Sequence, residues 1–543
     1  MQLHAPVPNR HQGHRGRKFF LSFFKASKEG LSRLQAENTE NEVPKSSARA
    51  LAPAGRVWYS RKKTPPLCRG QGAWAMETVF YPSVLNDVLA PATQGPSSSN
   101  TAGVYRLGRL GRALLRGEPV RLTVEMSRRG GFADTFFPMD SDKACLAGVL
   151  GRDLLGEELG TVYDAAAAAG LAYEFFFTDR IDPIPTEMGV FTLTSERETV
   201  TFTGITLGGG EILIREINGC ACALTGRRQE LLDLPCWAEP RTVPSVYPLA
   251  TVDAVPPFTD SVALLDYCRE RAIPLWQAAL DYECCLTGLT EGQVWQMAQQ
   301  TLDTAYAAID HGYAGRPFDG VTVPMAAKLR QKSDQATHFP LGTAHSGGLD
   351  AQTVMEHGNA HGVIVCMPTG GAAGILPAAI RHGAAALGKT REDEVRALLT
   401  AGLLGVFYYP THYHGALGCQ AEVGVAASMA AGALASMLSD DPAAAERAAV
   451  LAMQALIGQV CDPIGGYPQI PCFIRNIASV PLAMTCANYA VLGLDSAVTL
   501  SDMVQAVLRV GEKLRSGRIN DLGTCGGPCT PNPCSTCGRT VNN

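Results

Sequence analysis

The first 75 residues lack the apolar h-region of a secretory signal and the sustained periodic pattern of a folded domain. They carry 14 Lys and Arg against 4 Asp and Glu, a net charge of +10. Such a basic segment is compatible with targeting or with nucleic-acid binding, but its scarcity of core residues favours disorder. We expect residues 1–75 to be a disordered extension, or no part of the functional protein, which would then begin at Met76.

The chain as a whole has little charge. Only 18% of its 543 residues are charged and the net charge is −5, so no global attraction to nucleic acid or to an anionic membrane is expected. A hydrophobic content of 46% is typical of a globular protein, and the length predicts two or three domains. Without a secretory signal, the 17 cysteines are expected to be reduced cytoplasmic thiols, some of them metal ligands.

Two uncharged runs are long enough to resemble membrane spans. Residues 362–380 contain two prolines and four glycines, which would leave backbone groups unpaired in lipid. Residues 423–438 are rich in small side chains and are only 16 long. We therefore expect both runs to be buried elements of a helical core.

The pattern of apolar residues divides the remaining chain into four parts. Strand-like and helix-like runs mix in 76–245, which predicts an α+β domain. The Pro-rich stretch 246–260 predicts a linker, and 261–518 has helical spacing almost throughout, which predicts a mostly all-α domain. Residues 519–543 form a Cys-rich tail.

Three cysteines of the helical part, Cys419, Cys461 and Cys472, lack both the CxxC pairing and the ferredoxin spacing of common metal motifs. The last two bracket a segment dense in Pro and Gly, which can wrap around a bound group. Three thiolates suit an iron–sulfur cluster whose fourth iron acts as a Lewis acid. Buried free cysteines are the alternative on spacing alone.

The residues around these cysteines change the interpretation. CQAEVGVAASMAAGALA and CDPIGGYPQIPCFIRN resemble the α domain of iron–sulfur-dependent L-serine dehydratase. Far upstream, GPSSSNTAG at 95–103 is similar to GPSSSHTAG of that family's β domain, and the order matches the single-chain form of the enzyme. The resemblance covers roughly residues 76–530.

The resemblance implies a [4Fe-4S] cluster on Cys419, Cys461 and Cys472 and the conversion of L-serine to pyruvate and ammonia. No lysine stands in an obvious pyridoxal-phosphate motif. The substrate-binding residues that it implies, with the pair that follows the third cysteine as further candidates, are Ser97, Ser98, Ser99, Asn100, Thr101, Asn359, Thr369, Gly370, Arg475 and Asn476. Arg475 and Asn476 would bind the substrate carboxylate or the cluster sulfides, or else form an ordinary surface pair.

Two departures from the family pattern put the substrate in doubt. Asn100 replaces the histidine of SSSHT, and PMDSD at 138–142 replaces GHGTD, so two imidazoles expected near the substrate are absent. A lyase acting on L-threonine or L-cysteine and a degenerate amino-acid-binding protein are therefore alternatives. The sequence assigns no proton acceptor, since His345, His357 and His361 are each more typical of surface or capping positions.

The partner expected in every case is a small amino acid, with no nucleic acid and no membrane, and a homodimer is left open. The tail carries Cys525, Cys529, Cys534 and Cys537. We expect one of them to reach the open iron and ligate it until substrate displaces it. A small zinc knuckle and a disordered tail are the alternatives.

Overall fold

Strands and helices are segregated along the chain. The structure, a computed structural model, describes residues 80–516 apart from 134, 157–158, 182–186, 253, 336, 412–416 and 462–466. The predictions for the basic extension 1–75 and for the tail 519–543 lie outside these residues. The described part belongs to one compact unit, Thr78–Asn543.

An α+β region comes first. In chain order it contains a π-helical turn (Val84–Val88), β1 (Ala92–Gln94), a second π-helical turn (Ser98–Gly103), α1 (Val104–Leu114), β2 (Pro119–Ser127), α2 (Ser141–Leu150), α3 (Val162–Ala168), β3 (Ala172–Thr178), β4 (Met188–Ser195), β5 (Thr199–Gly208), β6 (Glu211–Ile217), β7 (Cys220–Leu224), β8 (Glu230–Leu232) and β9 (Arg241–Val243).

Six of these strands form one mixed sheet in the order β3-β2-β4-β5-β6-β7. Strands β2 and β3 are parallel, and the other neighbours are antiparallel. Side chains of β4 alternate between buried and partly exposed positions, as expected where one face of a sheet covers a core. Phe191 and Phe202 stack on the buried face at 5.0 Å between ring centroids, where α1 packs against the sheet.

A helical region follows the irregular segment after β9. It contains α4 (Ser261–Arg271), α5 (Leu275–Thr287), α6 (Glu291–Gly312), α7 (Ala326–Ser333), α8 (Thr343–Asn359), the short strand β10 (Val363–Val365), α9 (Ile375–Leu387), α10 (Arg391–Tyr408), α11 (Val423–Leu438), α12 (Pro442–Leu456), α13 (Cys472–Val491) and α14 (Leu500–Ser516). The predicted order, an α+β region and then a mostly all-α region, is confirmed.

Helix α11 is the centre of the helical region. Helices α9, α10, α12 and α13 all contact it, and nearly all of its side chains are buried. Among the described residues, Cys419–Leu438 is the segment long and apolar enough to cross a membrane, and 83% of it is buried inside the protein. The expectation of a core helix at 423–438 is therefore confirmed.

The N-terminal segment of the α+β region is anchored in the helical region by a buried carboxylate. Glu283 of α5 accepts hydrogen bonds from the Ser83 hydroxyl at 2.5 Å, from the Val84 N–H at 2.7 Å and from the Leu85 N–H at 3.3 Å. Glu283 is fully buried, and it satisfies amide groups that the first turn leaves without intrahelical partners. Burial nevertheless raises the pKa of Glu283 to about 7.

A second anchor is the buried Arg227, which follows β7. Its guanidinium forms ion pairs with Asp87 and, at 3.0 Å, with Glu211, and it donates to the Tyr409 hydroxyl at 2.5 Å. It also lies 4.1 Å above the ring centroid of Phe80. One cation thus joins the N-terminal segment, strand β6 and the turn that follows α10.

Replacing Glu283 by Gln tests the cost of the buried carboxylate. The folded protein holds this proton more tightly than the unfolded chain, whose ordinary value is 4.5. The protonated Glu283 side chain therefore makes its full contribution to the free energy of unfolding below pH 4.5. This contribution is lost as pH rises through about 7. As pH rises between those values, we expect the free energy of unfolding of the wild type to fall, relative to that of Glu283→Gln, by on the order of 3 kcal/mol.

Urea unfolding at a series of pH values measures this shift. Glu118→Gln is the matched control, because the Glu118 side chain is 85% exposed, and its pH profile should run parallel to that of the wild type. A parallel profile for Glu283→Gln would contradict the prediction.

Candidate active site

A two-stranded ribbon joins the two regions at the place where the predicted substrate residues lie. Strand β1 pairs antiparallel with β10, so that Gln94 lies opposite Val363. The pairing continues beyond both ends of the strands: the Gly95 N–H donates to the Gly362 carbonyl at 3.0 Å, and the Cys366 N–H donates to the Pro91 carbonyl at 3.0 Å. The GPSSSNTAG segment at 95–103, called the serine loop below, therefore starts beside the NAHG segment at 359–362 of the helical region.

Two glycines allow the two regions to touch backbone to backbone. A Cβ atom at Gly95 would lie 2.4 Å from the Gly358 carbonyl oxygen. A Cβ atom at Gly370 would lie 2.9 Å from the Pro96 carbonyl oxygen and 3.2 Å from the Ser98 amide nitrogen. Neither position has room for a side chain. The loop at 97–101 and the Thr369–Gly370 turn are consequently parts of one site.

The serine loop uses several of its polar groups to hold its own shape. Ser97 caps the π-helical turn by accepting from the Asn100 N–H at 3.3 Å, and the Thr101 hydroxyl is 3.5 Å from the Met139 carbonyl. The Ser98 hydroxyl hydrogen-bonds the Cys366 thiol, whose pKa burial raises to about 12. Ser99 is half-buried.

Asn100 stands where the family pattern has histidine. It joins the serine loop to the PMDSD segment, which also departs from the family pattern. Its side-chain oxygen accepts hydrogen bonds from the Thr135 and Ser141 hydroxyls, both at 3.1 Å. The residue is only 2% exposed. Its amide oxygen is therefore committed to holding residues 135–141 against the loop.

The three predicted cluster cysteines lie on three segments of the helical region that influence one another electrostatically. Cys419 is buried in a 3₁₀ turn just before α11, Cys472 is the first residue of α13, and Cys461 lies in the connection between α12 and α13. The pKa of Cys472 is raised well above its ordinary value by burial and then by Cys419, Glu422 and Cys461. The Cys472 thiol is therefore within electrostatic range of both other cysteines.

Glu422 is the site residue that the sequence reasoning missed. Its side chain keeps some exposure towards the site but lies deep in the protein, and this burial raises its pKa to about 7. Glu187 raises that pKa further, whereas the Thr369 hydroxyl lowers it. A Cβ atom at Gly371 would lie 3.0 Å from the Glu422 carboxylate. The only signal in the sequence was its position three residues after Cys419.

Arg475, predicted to bind the substrate carboxylate or the cluster sulfides, interacts with Cys419 and with Glu422. It donates to the Val460 carbonyl at 3.0 Å, and its positive charge lowers the pKa of both Cys419 and Glu422. Burial and Glu422 outweigh it at Cys419, whose pKa is raised to about 12. Arg475 thus supplies a positive charge that acts on both Cys419 and Glu422.

The side-chain amides of Asn476 and Asn359 are hydrogen-bonded to backbone groups of the protein. The Asn476 amide donates at 2.9 Å to the carbonyls of Gly371 and Cys472, and its oxygen accepts from the Gly374 N–H at 3.3 Å. The Asn359 amide donates to the Met355 carbonyl at 2.9 Å and lies 3.4 Å from the Pro468 carbonyl. Both side chains fix the backbone around the cysteines.

Three cysteine thiols are the type of donor that binds an iron–sulfur cluster. Within the described ranges, no three His, Cys, Asp or Glu side chains converge to hold one metal ion. A four-iron cluster is larger, so its ligands stand farther apart. Its irons would also supply the positive charge that buried sulfur atoms with raised pKa values need in order to be thiolates.

Comparisons with known proteins find relatives of both regions. The family model for the serine dehydratase alpha chain matches residues 270–520. The L-serine dehydratase of Streptomyces coelicolor is 29% identical over 445 residues, which cover 77% of this chain and 92% of that protein.

Two separate proteins of Bacillus subtilis match the two regions. The probable L-serine dehydratase alpha chain is 29% identical over 283 residues, covering 50% of this chain and 92% of that protein. The probable beta chain is 38% identical over 152 residues, covering 28% of this chain and 67% of that protein. The chain therefore belongs to the L-serine dehydratase family and carries counterparts of both the alpha and the beta chain.

Proposed function

We propose that this protein is a [4Fe-4S]-dependent L-serine ammonia-lyase that converts L-serine to pyruvate and ammonia in the cytoplasm. Family membership supports serine as the substrate. The observation that supports the proposal is that the turn at 369–371 borders the serine loop through Gly370 and Glu422 through Gly371, while the charge of Glu422 acts on Cys419 and Cys472.

The three cysteines hold the cluster in this proposal. A bound [4Fe-4S] cluster with one iron free of protein thiolate supplies a Lewis acid for the substrate hydroxyl and carboxylate. Arg475 balances the negative charge of the sulfur atoms from the side, because it already interacts with Cys419. Asn476 keeps Cys472 and the Gly371 turn in register.

The remaining side chains select the substrate. The half-buried Ser99 offers its hydroxyl group to the carboxylate near the start of a π-helical turn, while Ser98 is held by Cys366. Glu422 and Glu187 place carboxyl groups where an ammonium group can be held. Loss of the hydroxyl leaves 2-aminoacrylate, which tautomerises and hydrolyses to pyruvate and ammonia without further catalysis.

Two alternatives retain support from the departures at Asn100 and PMDSD. A lyase of the same mechanism could take L-threonine or L-cysteine, since the altered segment borders the serine loop. A protein that binds an amino acid without turning it over is the other alternative.

Iron and sulfide analysis of anaerobically purified protein tests the cluster. We expect brown protein that bleaches in air, and we expect Cys419→Ser, Cys461→Ser and Cys472→Ser each to lose the colour and at least 100-fold in activity, since each removes a ligand. Cys486→Ser is the matched control: this free, buried cysteine lies on α13, as Cys472 does, and its iron content should not change. A colourless, iron-free wild type with full activity would sink the proposal.

Oxygen-free assays of ammonia release test the substrate. L-serine should give the highest kcat/KM in a panel with L-threonine and L-cysteine, because the family match is to serine enzymes. A higher kcat/KM for one of the others identifies the alternative lyase. Thermal stabilisation by an amino acid without any ammonia release would identify a binding protein instead.

A further inference from the structure

The α+β region contains no imidazole of its own. Between His14 and His311 the sequence has no histidine at all. The serine loop and the PMDSD segment both fall in this interval. Within residues 80–516, an imidazole that acts on a substrate held by the serine loop therefore comes from the helical region.

His361 of the helical region meets this requirement. Its Nδ1 atom lies 2.9 Å from an Asp140 carboxylate oxygen, which joins the NAHG segment to the PMDSD segment across the two regions. The His361 side chain is 36% exposed, whereas that of Asp140 is 11% exposed. The His361 ring is thus close to a buried carboxylate and itself partly exposed.

The pair is held beside the serine loop by its immediate neighbours. Gly362, the residue after His361, accepts the hydrogen bond from the Gly95 N–H that starts the loop. Ser141, the residue after Asp140, donates to the side chain of Asn100 in that loop. Both members of the pair are therefore one residue away from direct contacts with the proposed substrate loop.

Both residues adopt a backbone conformation that is costly outside glycine. Asp140 has φ 54° and His361 has φ 56°. Asp and His tolerate the left-handed region better than most residues, but it still costs free energy and persists where the surroundings enforce it. Such strained positions concentrate at functional sites.

Asp140 is suited to orient the ring. Burial alone would raise its pKa, but His361 and Lys143, whose ammonium group is 2.8 Å away, lower it, so the carboxylate stays ionised. The negative charge of a carboxylate 2.9 Å from Nδ1 favours the proton on that nitrogen, which leaves the lone pair on Nε2. This is the arrangement of a histidine base with its positioning acid.

Two other histidines of the same region are placed differently. His345 shares a hydrogen bond of 2.6 Å with the Ser333 hydroxyl. His357 is buried, and burial followed by the charge of His311 lowers its pKa to about 4. His412 and His414 lie outside the described residues and are the competing imidazoles.

We propose that Nε2 of His361 is the proton acceptor of the lyase reaction and that Asp140 positions it, an inference that rests on the proposed function. The Cα–H bond of the substrate breaks and its proton passes to Nε2, while the Cα=Cβ bond forms and the Cβ–O bond breaks. The proton then goes to the departing hydroxide. The net products are 2-aminoacrylate and water.

His361→Gly tests the assignment without straining the backbone, since glycine is at ease at this φ. We expect kcat to fall by about 100-fold or more, with iron content and melting temperature retained. Added imidazole should raise the rate of this variant several-fold, and the increase should be larger for substituted imidazoles of higher pKa. His361→Asn, which also tolerates this conformation, should lose the same activity and gain nothing from imidazole.

Asp140→Asn should lower kcat about 10-fold and show no rescue, because the base remains but its orientation is lost. His382→Asn is the matched control, since His382 also pairs with an aspartate, Asp350, at 2.8 Å, but within helices α8 and α9. Its kcat and KM should equal those of the wild type.

Full activity in both His361 variants, with the cluster intact, would overturn this inference while leaving the proposed function in place. Imidazole rescue at His412→Gly or His414→Gly, and not at His361→Gly, would also overturn it. A wild type with neither iron nor ammonia release would overturn the proposed function and this inference together.

Discussion

The pairing of β1 with β10 is the constraint on which the site depends. Three residues on each side form a ribbon between segments about 270 positions apart, and main-chain hydrogen bonds extend it at both ends. Because these bonds leave little freedom of register, they decide which residue of the serine loop faces which residue of the helical region. The close glycine contacts at Gly95 and Gly370 follow from that register.

Charge buried at the same boundary supports the ribbon. Glu283 and Arg227 both bind the N-terminal segment that leads into β1, one through backbone amides and the other through Asp87. Removing one partner of such a group leaves a buried charge without compensation, which costs several kcal/mol. The N-terminal segment is therefore held at both of its ends. Side chains of Glu283 and Arg227 bind it before β1, and the main chain of β1 pairs with β10.

The sequence predicted the order of the two regions and the core helix at 423–438, because apolar periodicity extends over many residues there. It did not predict β1 or β10, since three-residue strands carry no periodic signal. The contact between Asp140 and His361 was equally invisible, because a non-local contact has no signature in either segment. The polar partners of Asn476 were missed for the same reason: the residue type alone does not tell whether an amide faces a ligand or backbone carbonyls.

The ribbon also bears on how such chains can be assembled during evolution. Since β1 and β10 join the two regions by hydrogen bonds and not by the connecting peptide, the irregular segment after β9 contributes continuity of the polypeptide but no part of the ribbon. The two halves could therefore be encoded separately and still meet through the same edge. Bacillus subtilis has relatives of the two halves as separate alpha and beta chains, which is the gene arrangement that such a junction permits.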